Sequence, residues 1–90
     1  MNDIDLLSKL EDLANRLGVK LRYENLSKGP VRAMGGYCRL LDDHLILIDK
    51  NDSKKRKIKL IARSLRRFDL ETVFVPPALR RIIQSCEKQD

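Results

Sequence analysis

Lys55, Lys59, Arg63 and Arg67 recur at successive four-residue steps, with Arg56 and Arg66 beside them. On a helix that spacing lines the cations along one face. Guanidinium and ammonium groups stay protonated at neutral pH, so such a face is suited to holding anions rather than moving protons. Arg80 and Arg81, in "PPALRRI", offer an extension of it from a later segment. The plainer alternative is a solvated outer face whose long apolar stems cover the core. Against it, like charges at i,i+4 destabilise a helix by about 0.2–0.5 kcal/mol per pair, a repulsion that an anionic partner removes.

Other chemistry-bearing residues are few. His44, the sole histidine, falls in "DDH" at an expected hairpin turn, where an exposed side chain is the ordinary outcome and a catalytic base the exception. Cys38, Cys86 and His44 would supply three zinc ligands, but their spacing fits no zinc pattern. The two cysteines stand far apart within apolar patterns and read as small buried hydrophobes, with no disulfide implied. Gly35 and Gly36 precede a strand rather than a helix, which suits chain reversal into a hairpin and not a phosphate cradle. The aromatics Tyr23, Tyr37, Phe68 and Phe74 lie in or beside apolar patterns and are assigned to the core rather than to base stacking. With no helix-turn-helix, zinc-finger or RNA-recognition signature, any contact to nucleic acid would be to phosphate and salt-sensitive. No catalytic residue, metal or cofactor site is read from the residues.

The elements that must position the cations follow from periodicity. Leu6, Leu10, Leu13 and Leu17 recur at helical spacing, flanked by Leu7 and Ala14, with Asn2 or Asp3 to cap the start and Gly18 to stop the helix. "VKLRYE" then alternates as a strand with one buried face. Residues 25 to 36 break every period and form a loop. "YCRLL" and "LILID" flank the turn of a hairpin, the second strand apolar on both faces and therefore central. "NDS" offers three caps for a second helix whose buried stripe is Ile58, Ile61, Ala62, Leu65 and Phe68. "TVFV" reads as a short fourth strand ended by Pro76. Pro77 suits the first turn of a third helix with the stripe Leu79, Ile82, Ile83 and Cys86.

The fold expected is α+β, in the order α-β-β-β-α-β-α, with a three- to four-stranded, mainly antiparallel sheet. Ninety residues at 42% apolar content build one small domain. No repeat, linker or low-complexity segment interrupts it. No apolar run approaches the roughly 20 residues of a membrane helix, and "MNDIDLLSKL" is acidic where a signal peptide is basic, so a cytoplasmic, non-membrane protein is expected. The net charge of +6 is uneven: residues 53 to 68 hold eight Lys/Arg and no Asp/Glu. A field concentrated in this way speeds encounter with anionic partners.

In the same order, "LANRLGVKLRYENL", "GGYCRLLDDHLILIDKN" and "KIKLIARSLRRF" resemble the opening half of the ImmA/IrrE-type zinc metallopeptidase domain, over residues 6 to 68. That resemblance implies a helix carrying two zinc-binding histidines four apart and a glutamate between them. Alignment through Ala62 puts Arg63 and Arg67 at the ligand positions and Ser64 at the general base. Arginine repels a cation and serine has no carboxylate, so the resemblance implies a fold without the peptidase activity.

Two functions are therefore expected. The first is a non-catalytic module whose basic helix, residues 53 to 68, contacts an acidic protein or a nucleic-acid backbone. The second is a metal-free peptidase-like remnant acting through protein contacts or self-association, with the loop 25 to 36 as its variable part. An enzyme using His44 beside arginines, as in a metal-independent nuclease, finds no support in the spacing.

Overall fold

A computed structural model describes residues 2–26 and 35–86. Most of the expected loop, residues 27–34, lies outside the described residues. The chain forms an α+β fold in the order α1 (Asp3–Arg16), β1 (Val19–Glu24), β2 (Gly36–Leu40), β3 (Asp43–Asp49), α2 (Lys54–Leu65), a 3-10 turn (Leu70–Thr72) and α3 (Pro77–Ser85).

Helix α1 begins where Asn2 accepts the amide of Asp5 at 2.8 Å. It ends at Gly18, whose φ of +78° lies in the left-handed region that a residue without Cβ enters freely. Ser53 caps α2 by accepting the amide of Arg56 at 3.2 Å. Of the rival caps, Asp52 pairs with the Arg56 side chain at 3.8 Å, and Asn51 donates its backbone N–H to the Asp49 carboxylate at 3.0 Å. Helix α3 opens on Pro76 and Pro77 with no side-chain cap.

Strand β3 sits in the middle, as its two-sided apolar pattern requires, but the sheet is mixed rather than mainly antiparallel. β2 pairs with β3 antiparallel (Cys38↔Leu45), and β1 pairs with β3 parallel (Leu21↔Ile46). Val19, Leu21, Ile46, Ile48 and Tyr37 share the inner face. Against it pack α1 and α2, with α3 closing on both helices. Leu10, Leu13, Ala14, Ile58, Ile61, Ala62, Leu65, Val75, Leu79 and Ile83 complete one buried cluster.

Four local expectations are corrected. The hairpin loop is Leu41-Asp42 and not Asp-Asp-His. Leu41 takes a φ of +57° to make the two-residue reversal while 90% exposed, an outlier for a bulky side chain. His44 consequently lies inside β3 and is half-buried. "TVFV" is no strand: the Asp69 carboxylate accepts the Glu71 amide at 2.9 Å and starts the 3-10 turn. The following extended chain gives its Phe74 carbonyl to Arg16 Nη1 at 3.1 Å instead of to a neighbouring strand. Gly35 does more than reverse the chain, since a Cβ there would stand 2.6 Å from the Leu47 carbonyl oxygen. Among the described residues, no helix is long and apolar enough to cross a membrane.

Candidate functional site

Helix α2 buries Ile58, Ile61, Ala62, Ser64 and Leu65, which leaves its cations on the remaining arc. Ser64, fully buried, donates its hydroxyl to the Leu60 carbonyl at 2.8 Å and so has its hydrogen bond inside its own helix. No acidic residue stands in the first turn of α2, where the helix dipole favours negative charge. Residues 54–57 put four positive side chains there instead.

The eight cations singled out by spacing meet three different fates. Lys55, Lys59 and Arg63 line one wall of a cleft of about 440 Å³ between α2 and α3, with Ile58, Ile82, Ser85 and Cys86 forming the rest. Among the described residues none of the three has a carboxylate within salt-bridge distance. Arg63 Nε is moreover buried with no hydrogen-bond partner among the described residues. A second depression of about 280 Å³ on the other side of the same ridge is lined by Gly35, Asp52, Arg56, Lys59, Leu60 and Arg63. Lys59 and Arg63 thus border both.

The second group is tied into the fold. Arg66 turns its guanidinium to the last carbonyls of α3, donating from Nη1 to Gln84 and, at 3.4 Å, to Ile83, and so caps that helix. Arg67 lays its guanidinium over the Tyr37 ring at 3.9 Å, the geometry of a cation–π contact. Arg80 pairs with Glu71 at 3.4 Å, and Arg56 with Asp52 at 3.8 Å. Arg81 alone forms the third group, exposed on α3 but outside the cleft. The arginines of α3 therefore do not extend the patch. That helix contributes Ile82, Ser85 and Cys86 to the cleft instead.

The aromatic residues are not all core. Phe74 is 73% exposed. Tyr23 reaches the surface and donates its hydroxyl to Glu11. Burial together with that carboxylate pushes its phenol above the ordinary tyrosine range. Tyr37, His44 and Phe68 form a half-buried group: Tyr37 Oη lies 2.5 Å from His44 Nδ1, and Phe68 sets its ring edge-on to His44 at 5.0 Å. His44 is thereby a packed strand residue rather than an exposed turn residue.

Both cysteines are free, Cys38 exposed on the outer sheet face and Cys86 half-buried in the cleft. Burial pushes the Cys86 thiol up, outweighing the opposing charges of Arg63, Lys59 and Arg66. Among the described residues no three His, Cys, Asp or Glu side chains gather as a metal ion needs, so Cys38, Cys86 and His44 do not meet.

The residues that spacing missed are the far wall of the cleft and the Tyr37 seat under Arg67. Only the half-apolar, half-polar pattern "IIQSC" hinted at the former. No known family, curated protein or solved structure matches this chain.

Proposed function

We propose that the chain is a non-catalytic cytoplasmic binding module that presents Lys55, Lys59 and Arg63 of α2 to an anionic partner, an acidic protein surface or a nucleic-acid backbone. The observation that carries this reading is the contrast in partners. Arg56, Arg66, Arg67 and Arg80 are each engaged within the fold, while these three cations border a cleft with no carboxylate in reach among the described residues. Mutual repulsion at i,i+4, and a basic first turn set against the helix dipole, are both relieved when an anion arrives.

The resemblance to ImmA/IrrE-type peptidases enters as ancestry and not as activity. Arg63 and Arg67 stand at the ligand positions, and Ser64, at the place of the general base, is turned into the helix. A metal-free remnant acting through protein contacts is the second reading, favoured by the exposed apolar side chains Leu40, Leu41 and Phe74.

Retention on a heparin column and titration with a short DNA duplex test the first reading. The native protein elutes later than its overall charge predicts, and Lys59→Gln with Arg63→Gln removes most of the affinity and flattens the salt dependence of the remainder. Elution no later than net charge predicts, unchanged in the double variant after allowing for two lost charges, rejects it. Association that persists at high salt supports the second reading, because apolar contact is not screened.

A further inference from the structure

The cleft between α2 and α3 carries more than charge. Ile58 and Ile82 give it an apolar floor, and Ser85 and Cys86 form the side facing Lys55, Lys59 and Arg63. A phosphodiester backbone would satisfy the cations but has nothing to cover that floor, whereas a protein segment with one apolar and one acidic stripe satisfies both. We propose that the occupant is an acidic amphipathic helix of a partner protein, its apolar stripe on Ile58 and Ile82 and its carboxylates on Lys55, Lys59 and Arg63. This rests on the anion-binding reading of α2 and narrows it to one class of partner.

Three observations support the match. Lys55 to Arg63 spans eight residues, about 12 Å of rise, so an aligned partner helix meets the three cations with acidic residues at its own four-residue spacing. Arg63 Nε makes no hydrogen bond among the described residues, so reorienting that side chain onto a carboxylate breaks none at that atom, and a guanidinium accommodates a carboxylate side-on through two nitrogens. The Cys86 thiol donates to the Ile82 carbonyl at 3.2 Å, and burial pushes it further up from an ordinary range already above neutral, so the cleft places no thiolate against the incoming carboxylates.

Cys86 also provides the readout. In the full chain carrying Cys38→Ser, the rate of Cys86 alkylation by iodoacetamide is followed with three probes at low salt. The first is a peptide of about 14 residues, roughly four helical turns, with Leu and Glu on adjacent stripes. The second has the same composition in scrambled order, and the third is a short DNA duplex. Binding of each is measured in parallel by fluorescence anisotropy.

The patterned peptide should slow alkylation severalfold and bind at least about tenfold more tightly than the scrambled one. Ser85→Glu and, separately, Lys59→Glu should each weaken it by about tenfold, Lys59→Glu without lowering the thermal midpoint. Equal binding of the two peptides overturns the amphipathic partner and leaves the anion-binding reading standing. A duplex that binds more tightly than either peptide and protects Cys86 overturns it in favour of nucleic acid. Patterned-peptide binding that leaves Cys86 unprotected overturns the location. Absence of binding by all three overturns this inference and the reading beneath it.

Discussion

Arg63, in the last turn of α2, and Arg66, the residue that ends it at Leu65 rather than at Phe68 as expected, stand three residues apart and do opposite things. Arg66 crosses to α3 and satisfies the last carbonyls of that helix, while Arg63 borders the cleft with a buried Nε that meets no acceptor among the described residues. The division does not follow position along the chain. Arg56 in the first turn pairs with Asp52, and Arg66 and Arg67 just past the end of α2 are spent on structure, while Lys55, Lys59 and Arg63 between them are uncommitted among the described residues. A run of cations in a sequence is therefore not a binding surface in itself. What remains after helix ends, aromatic rings and carboxylates have taken their share is the surface that we propose a partner meets.

The comparison depends on α2 being seated as described, and the largest expected effect tests that seat. Leu65 is fully buried between the helices and the sheet. Leu65→Ala should cost about 2–5 kcal/mol in denaturant unfolding, enough to endanger so small a domain. A loss below about 0.5 kcal/mol would mean that the helix presents another face and that both halves of the comparison are misassigned.

Next in size is the backbone contact beside the ridge. Gly35→Ala pushes a methyl into the Leu47 carbonyl oxygen, a main-chain atom that cannot rotate away, and should cost about 1–3 kcal/mol. An unchanged midpoint would show that β2 and β3 do not approach so closely there.

The comparison itself is sharpened by paired substitutions. Arg66→Gln removes a charged donor from two carbonyls and should cost about 1–2 kcal/mol. Lys59→Gln should stay within about 0.5 kcal/mol of the native stability, or raise it by relieving repulsion. Equal costs for the two would erase the distinction between committed and uncommitted cations.

Much of the fold was legible in the sequence because its signals were local. Leu10, Leu13 and Ala14 at helical spacing, Asn2 as cap and Gly18 as stop describe α1 without reference to anything distant. The two-sided apolar run "LILI" placed β3 at the centre for the same reason. The errors lie where a distant residue decides. β1 pairs parallel with β3, a choice that strand patterning cannot express. Thr72 to Val75 has β propensity but is claimed by the Asp69 turn and by Arg16 of α1. The candidate site was half legible: four-residue spacing picked out Lys55, Lys59 and Arg63, but nothing in it separates them from Arg67, whose seat on Tyr37 needs the hairpin brought beside α2.

The smallest predicted effect lies at the opposite edge of the sheet, where the inner-face residue Tyr23 is tied to α1. Its phenol is raised in the folded protein, so the folded state holds that proton more tightly than the unfolded chain. The corresponding stability is complete below the ordinary tyrosine pKa of about 10 and is lost as pH rises above it. Tyr23→Phe should therefore show a shallower decline of stability in alkali than the native protein. Identical alkaline profiles would mean that in solution Tyr23 is neither buried against α1 nor held by Glu11.

The central claim is that uncommitted cations, and not total charge, define the binding surface. Amide chemical shifts recorded by two-dimensional NMR during titration with a heparin oligosaccharide test it residue by residue. The account predicts perturbations concentrated at Lys55, Lys59 and Arg63 on α2 and at Ile82, Ser85 and Cys86 across the cleft, with Arg66, Arg67 and Arg80 little changed. Perturbations spread evenly over all the lysines and arginines, or centred on Arg67 and Arg80, would contradict it.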